Sequence, residues 1–163
     1  MEKTEANYQA YLNILKEELV PAGGCTEPIA IAYTAATARK TLGAMPERME
    51  VHASGNLIKN AMGVYIPNGG KLRGVNAAAV LGVVGGNPDK KLEVLLDMPE
   101  GVLEQATALL NEDFCTLHVL HDDAPLHLIV KLFCGPPTAL VELKNSHTHI
   151  VRIENDGALL FRA

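Results

Sequence analysis

Cys25 is the residue whose type and position most favour chemistry in this sequence. It lies in Gly23-Gly24-Cys25-Thr26-Glu27-Pro28, directly before a predicted helix. The unpaired N–H groups and the positive dipole end at a helix N-terminus stabilise a thiolate. A thiolate binds iron or attacks an electrophile, and the two glycines let the backbone bring the sulfur close to a partner. The alternative interpretation is a helix-entry turn with a merely buried cysteine.

A second candidate is the segment Ser54-Gly55-Asn56-Leu57-Ile58-Lys59-Asn60, which joins a predicted strand to a predicted helix. Such a turn can bind a carboxylate through its backbone N–H groups. Lys59 would add a charge and Asn60 an amide to the same site. An ordinary capped helix explains these residues equally well.

The histidines and the other cysteines suggest zinc as a lesser alternative. His147-Thr148-His149 would place two imidazoles on one face of a predicted strand, and further ligand types lie on neighbouring predicted strands: His118, His121, His127, Cys115 and Cys134. However, the sequence has no CxxC or HExxH spacing, and strand histidines are usually surface residues. Cysteines within strand patterns are more typical of packed thiols.

Helices are predicted in the first two thirds of the chain. Apolar spacing indicates a helix over residues 6–20, and an Ala-rich helix should run from the cap Thr26 to Leu42, where Gly43 ends it. A strand over residues 48–53 precedes the short helix after Ser54. A small-residue helix is expected over residues 74–84. Asp97 and Glu100 resemble a capping box for a last helix.

Strands dominate the final third. Extended segments are predicted at about residues 114–121, 126–134, 138–144, 147–154 and 158–162, separated by short turns. Short turns between successive strands favour an antiparallel meander. We therefore expect an α+β fold, with the helices packed on a mainly antiparallel sheet built from the C-terminal strands.

Composition limits the possible classes of protein. The 163 residues suffice for a single domain spanning 1–163, and the net charge of −5 without a Lys/Arg cluster argues against a nucleic-acid partner. No apolar run approaches the roughly 18 residues of a membrane span, and the polar N-terminus is unlike a secretory signal. We therefore expect no membrane association and a cytoplasmic protein with reduced thiols.

Several segments together resemble the L-cysteine desulfidases, of the serine dehydratase alpha-chain-like family. The resemblance rests on residues 20–30 around Gly-Cys-Thr-Glu-Pro and on Asn-Leu-x-Lys-Asn at 56–60. It continues at 63–67, 77–82 with 85–87, 146–151 and 154–157. It thus covers nearly the whole chain. The two named motifs are specific only in combination.

The resemblance implies a reaction and a cofactor. Such enzymes convert L-cysteine and water to sulfide, ammonia and pyruvate by β-elimination, using an oxygen-sensitive [4Fe–4S] cluster held by three cysteines. The open iron would act as a Lewis acid on the leaving group. An L-serine dehydratase-type lyase subunit is the alternative, so the expected substrate is L-cysteine or L-serine. A non-catalytic amino-acid-binding or assembly module is a further alternative.

The resemblance also assigns roles to individual residues. Cys25 would be the first cluster ligand, and therefore both the metal ligand and the cofactor-binding residue. The remaining roles are carried over by motif match: Lys59, Asn60 and His147 as catalytic residues, and Ser54, Asn56 and Thr148 as substrate-binding residues.

The chain departs from the desulfidases in length. Their other two cluster cysteines belong to a C-terminal half, and Cys115 and Cys134 do not match those positions. This chain would then be the N-terminal part of a longer protein, without a cluster or activity of its own. Its expected partner is the C-terminal half or a second subunit. An apolar face left exposed would also promote homo-oligomers.

Overall fold

The computed structural model describes residues 5–19 and 21–163. Its helices are α1 (Glu5–Glu18), α2 (Thr26–Leu42), α3 (Gly55–Met62), α4 (Gly74–Gly85) and α5 (Val102–Asn111), with a 3₁₀ helix at Pro88–Glu93. Its strands are β1 (Arg48–Ser54), β2 (Cys115–Leu120), β3 (His127–Phe133), β4 (Thr138–Lys144), β5 (Ile150–Asn155) and β6 (Ala158–Arg162). The predicted α+β class is confirmed.

All six strands form one sheet in the order β2-β1-β3-β4-β5-β6. Strands β3 to β6 form the predicted antiparallel meander. The expected pairing of β2 with β3 is wrong, because β1 lies between them, parallel to β2 and antiparallel to β3. Met49, Val51 and Ala53 of β1 are fully buried, which agrees with an interior position in the sheet. Strand β2 is half exposed and lies at the edge of the sheet.

One face of the sheet is covered by helices, chiefly α2 and α4. The buried residues alternate along strands β1, β3 and β4, for example Leu128, Val130 and Leu132 in β3. Helices α2 and α4 approach closely because Gly82 has no side chain. A Cβ atom there would lie 2.2 Å from the carbonyl oxygen of Ala32. The Ala-rich composition of both helices thus produces a tightly packed layer over the sheet.

Helix boundaries agree with the sequence except at two N-termini. Helix α2 ends at Leu42, with Gly43 at a φ of 74°. Its N-cap, however, is Cys25, and Thr26 is the first helical residue. The predicted capping box is also wrong, since α5 begins only at Val102 after Gly101, whose φ of 84° suits glycine.

Helix α1 leaves its apolar residues exposed, among them Tyr11 (55%) and Leu15 (49%). The predicted helix ended at position 20, which lies outside the described residues. In the described ranges, no helix has the length and apolar character that a bilayer-spanning segment requires.

Candidate functional site

A small cleft forms where the N-terminus of α2, helix α3 and two turns of the sheet meet. Its volume is about 140 Å³, and its lining residues come from four separate segments: Glu27, Asn56, Leu57, Asn60, Pro125, Leu126, Asn145 and His147. Pockets for drug-sized ligands usually measure about 300–1,000 Å³, so this cleft suits a smaller molecule.

Close backbone packing positions the N-terminus of α2 at this cleft. Gly24 lies against Pro67, where a Cβ atom would come within 2.4 Å of the proline Cγ. The N–H of Gly23 donates a hydrogen bond of 2.9 Å to the carbonyl of Leu92. Glycine is therefore required before Cys25, and the two contacts fix the direction in which α2 begins.

The carboxylate of Glu27 is the centre of the polar groups in this cleft. Its Oε2 atom accepts hydrogen bonds from the Cys25 thiol (3.5 Å) and from the Thr26 hydroxyl (3.3 Å). Its Oε1 atom lies 3.9 Å from Nε2 of His147. The latter distance exceeds hydrogen-bond length, so a bound group or a water can bridge the carboxylate and the imidazole.

Two pKa shifts follow from this geometry. Partial burial and the hydrogen bond to Glu27 raise the pKa of the Cys25 thiol. Burial opposes ionisation of Glu27, but its own backbone N–H, the Cys25 thiol and His147 lower the pKa of this carboxyl. Burial and the adjacent carboxylate thus favour the protonated thiol of Cys25 and oppose the thiolate that the helix N-terminus would stabilise.

Ser54 and Asn56 hold the loop that forms one wall of the cleft. The buried Ser54 hydroxyl donates to the carbonyl of Pro125 (2.9 Å) and accepts from the backbone N–H of His127 (3.4 Å). The Asn56 amide donates to the same carbonyl (3.3 Å). The Ser54 hydroxyl therefore positions the loop, and Asn56 both anchors the loop and lines the cleft. Their expected substrate-binding roles stay predictions.

The other predicted site residues divide into two groups. Asn60 and His147 line the cleft, whereas Lys59 and Thr148 are not among its lining residues. His147 lies in the turn between β4 and β5, because β5 begins at Ile150 rather than at position 147. The prediction that His147 and His149 place two imidazoles on one face of a strand is therefore wrong.

Sequence reasoning did not single out two residues of the cleft, Glu27 and Asn145. Glu27 stands two positions after Cys25, in the first turn of α2, so the motif itself indicated that the carboxyl group lies close to the thiol. Asn145 carries a different signal, a φ of 74°, which sequence alone does not reveal. A positive φ is tolerated by asparagine and marks a tight turn at the end of β4.

In the part of the chain that the structure describes, Cys25 belongs to no group of three or more potential metal ligands. Among the described residues, the one group of three or more potential ligands is Glu50, His52 and His118, on the other face of the sheet. The three cysteines are free thiols. A [4Fe–4S] cluster needs several thiolates converging on one point, and ligation by Cys25 stays a prediction.

Comparison with known proteins finds relatives that are named UPF0597 proteins. A UPF0597 protein of Lachnoclostridium phytofermentans is 48% identical over 154 residues, covering 94% of this chain. UPF0597 proteins of Treponema denticola and Desulfitobacterium hafniense are 42% and 40% identical over 161 residues, covering 99%. This chain spans 37% of the length of each of the three. No protein-family model and no solved structure matches.

These relatives correct the identification drawn from the motifs. The chain is similar to UPF0597 proteins, a name that states no activity, so its interpretation as the N-terminal part of an L-cysteine desulfidase is wrong. The expected β-elimination by an iron–sulfur lyase, the L-serine dehydratase-type alternative and the amino-acid-binding or assembly module are corrected with it, whereas the [4Fe–4S] cluster as a cofactor stays a prediction. The motifs misled because both are short and have local structural roles. One begins helix α2, and the other joins β1 to α3.

Proposed function

We propose that this chain carries a binding site for a small molecule with a protonated amine, in the cleft at the N-terminus of α2. One observation carries the proposal: the Glu27 carboxylate faces a cleft whose described lining residues include no lysine or arginine. The lowered pKa of Glu27 keeps its negative charge at neutral pH. An ammonium group would compensate this charge.

The amides of the cleft support a polar ligand rather than an apolar one. Asn56, Asn60 and Asn145 bring amide donors and acceptors to a cleft of about 140 Å³. Leu57 and Leu126 add apolar surface at the same place. A molecule with an amine at one end and a hydroxyl or carbonyl at the other would satisfy both Glu27 and the amides.

His147 would assist by accepting or donating a proton. Its Nε2 lies 3.9 Å from Oε1 of Glu27, so a ligand nitrogen beside this pair could be within hydrogen-bond distance of both atoms. A carboxylate beside an imidazole is an arrangement that general acid–base catalysis uses. His147 and Asn60 are therefore the proposed candidates for chemistry on the bound molecule, with Cys25 supplying a neutral thiol beside Glu27.

The test is an NMR titration of the ¹⁵N-labelled chain with three probes of similar size: ethanolamine, ethylene glycol and glycolate. Ethanolamine should shift the amide signals of Glu27, Asn60 and His147 saturably. The neutral and the anionic probes should shift them much less. Equal responses to all three probes would refute the proposed preference for an amine.

Charge-neutralising variants sharpen the test. Glu27→Gln keeps the shape of the side chain but removes its charge, and should abolish the preference for ethanolamine. Glu104→Gln changes an exposed carboxylate on α5, away from the cleft, and should leave the titration unchanged. Unchanged ethanolamine binding by Glu27→Gln would contradict the proposal.

A cytoplasmic location, a second chain or homo-oligomer as partner and a role for Lys59 stay predictions.

A further inference from the structure

The face of the sheet opposite the helices carries a cluster of metal-ligand types. His52 on β1 and His118 on β2 are direct neighbours in the parallel register. Their rings stack, with centroids 4.6 Å apart and planes inclined by 21°. Because side chains alternate along a strand, Glu50 lies on the same face as His52, one pleat away. Two imidazoles and a carboxylate thus converge on a single patch.

Arg48 orients the carboxylate of Glu50 toward the two histidines. Its Nη1 donates a hydrogen bond of 2.8 Å to Oε1 of Glu50. The other oxygen, Oε2, lies 3.6 Å from Nε2 of His52. Carboxylates that bind metals are commonly held in this way, with one oxygen hydrogen-bonded and the other free to coordinate.

The ring of His52 supports a ligand site at this patch. Its Nε2 atom is buried and has no hydrogen-bond partner. A buried polar atom without a partner is costly and calls for an explanation such as an ion.

The distances fit coordination after small side-chain rotations. One ligand atom from each of Glu50, His52 and His118 lies within 4.8 Å of the others. Zinc–ligand bonds of about 2.0–2.1 Å in a tetrahedral site require ligand atoms roughly 3.3 Å apart. His118 is exposed, so its ring can move toward the other two ligands.

We propose that Glu50, His52 and His118 form a binding site for one divalent transition-metal ion of the zinc class. Two imidazoles and one carboxylate are a ligand set that Zn²⁺ and Fe²⁺ accept, with further positions left for water. This site lies on the face of the sheet opposite the helices and does not depend on the proposed amine site.

Neighbouring cations limit the expected affinity. Arg48 is bonded to Glu50, and Lys131 on β3 is paired with Glu50 in the antiparallel register. Both positive charges repel an incoming cation, while Glu50 itself supplies the only negative charge among the three ligands. We therefore expect weaker binding than at closed structural zinc sites with four protein ligands.

The experiment titrates the metal-free chain with Zn²⁺ by calorimetry and with Co²⁺ by visible absorption. The parent chain should bind one ion, with shifts of the His52 and His118 ring signals in NMR spectra. His118→Gln should weaken binding by more than about tenfold, since changes to partners beyond the ligands already cost 10–100-fold. Glu50→Gln should also weaken it.

Matched controls distinguish this site from adventitious binding. His121→Gln removes an exposed histidine next to β2 that lies outside the cluster, and should bind like the parent. Equal affinity of His118→Gln and the parent would overturn the proposal. So would a Co²⁺ charge-transfer band typical of thiolate ligation, because it would put the ion on a cysteine.

Discussion

The Nε2 atom of His127 lies 2.7 Å from Oε1 of Glu142, beside the pairing of β3 with β4. The other ring nitrogen, Nδ1, contacts a carboxylate oxygen of Asp122. His127 is only 7% exposed. A buried imidazole thus joins two carboxylates, and each carboxylate also has a cation nearby: Lys144 lies 3.6 Å from Asp122 and Arg152 lies 2.9 Å from Glu142.

The first prediction concerns the stability that this imidazole provides. His127→Gln should lower the free energy of unfolding by about 1–3 kcal/mol, because at least one carboxylate loses its hydrogen-bond donor in a half-buried setting. Urea denaturation followed by circular dichroism measures the change. His121→Gln, at an exposed position, is the control and should stay within about 0.5 kcal/mol of the parent. A parent-like midpoint for His127→Gln would show that water replaces the imidazole at little cost.

The second prediction concerns the acid side of the stability curve. The hydrogen bond from His127, together with its charge and that of Lys144, lowers the pKa of Asp122 below its ordinary value of 3.8. A lowered pKa in the folded state means that the stabilisation is present above pH 3.8 and is lost as the pH falls through the folded-state value. Asp122→Asn should therefore reduce stability at neutral pH and flatten the acid dependence. Parallel curves for variant and parent would contradict this linkage.

The third prediction tests the close approach of α2 and α4. Gly82→Ala would place a Cβ atom 2.2 Å from the Ala32 carbonyl oxygen, so the two helices must separate. Overpacking of this kind typically costs about 1–3 kcal/mol, measured here by thermal and urea unfolding. Gly63→Ala is the matched control, since its Cβ would meet nothing within 4 Å and its φ is −90°. Similar stability of both variants would argue against tight packing at Gly82.

The fourth prediction concerns the reactivity of Cys25. Burial and the Glu27 carboxylate raise the pKa of its thiol above 9.0, so alkylation by iodoacetamide should be slow at mildly alkaline pH. Glu27→Gln removes the carboxylate and should shift the pH midpoint of alkylation downward. Peptide mapping separates Cys25 from Cys115, whose thiol has a pKa raised to about 12 by burial.

Glu104→Gln serves as the control for this alkylation, because that carboxylate lies on the first turn of α5. Its alkylation profile should coincide with that of the parent. If Glu27→Gln left the midpoint of Cys25 unchanged, burial alone would explain the raised pKa. The proposed coupling between the thiol and the carboxylate would then be wrong.

The site was only partly predictable because its residues are far apart in the sequence. Helix-start and strand-to-helix patterns indicated Cys25, Asn56 and Asn60, since these are local features. The distance between Glu27 and His147 depends on how the turn between β4 and β5 packs against the N-terminus of α2. The pairing of His52 with His118 likewise depends on which strands become neighbours.

Local patterns in the sequence determined the class of fold and the positions of most helices and strands to within a few residues. Periodicity, turn residues and small side chains act over short distances, so one sequence carries their signal. Only the tertiary structure decided that β1 inserts between β2 and β3, and that Glu27 meets His147. Alternation specifies which face of a strand is buried but not which strand lies beside it, because backbone hydrogen bonds are nearly the same for every partner.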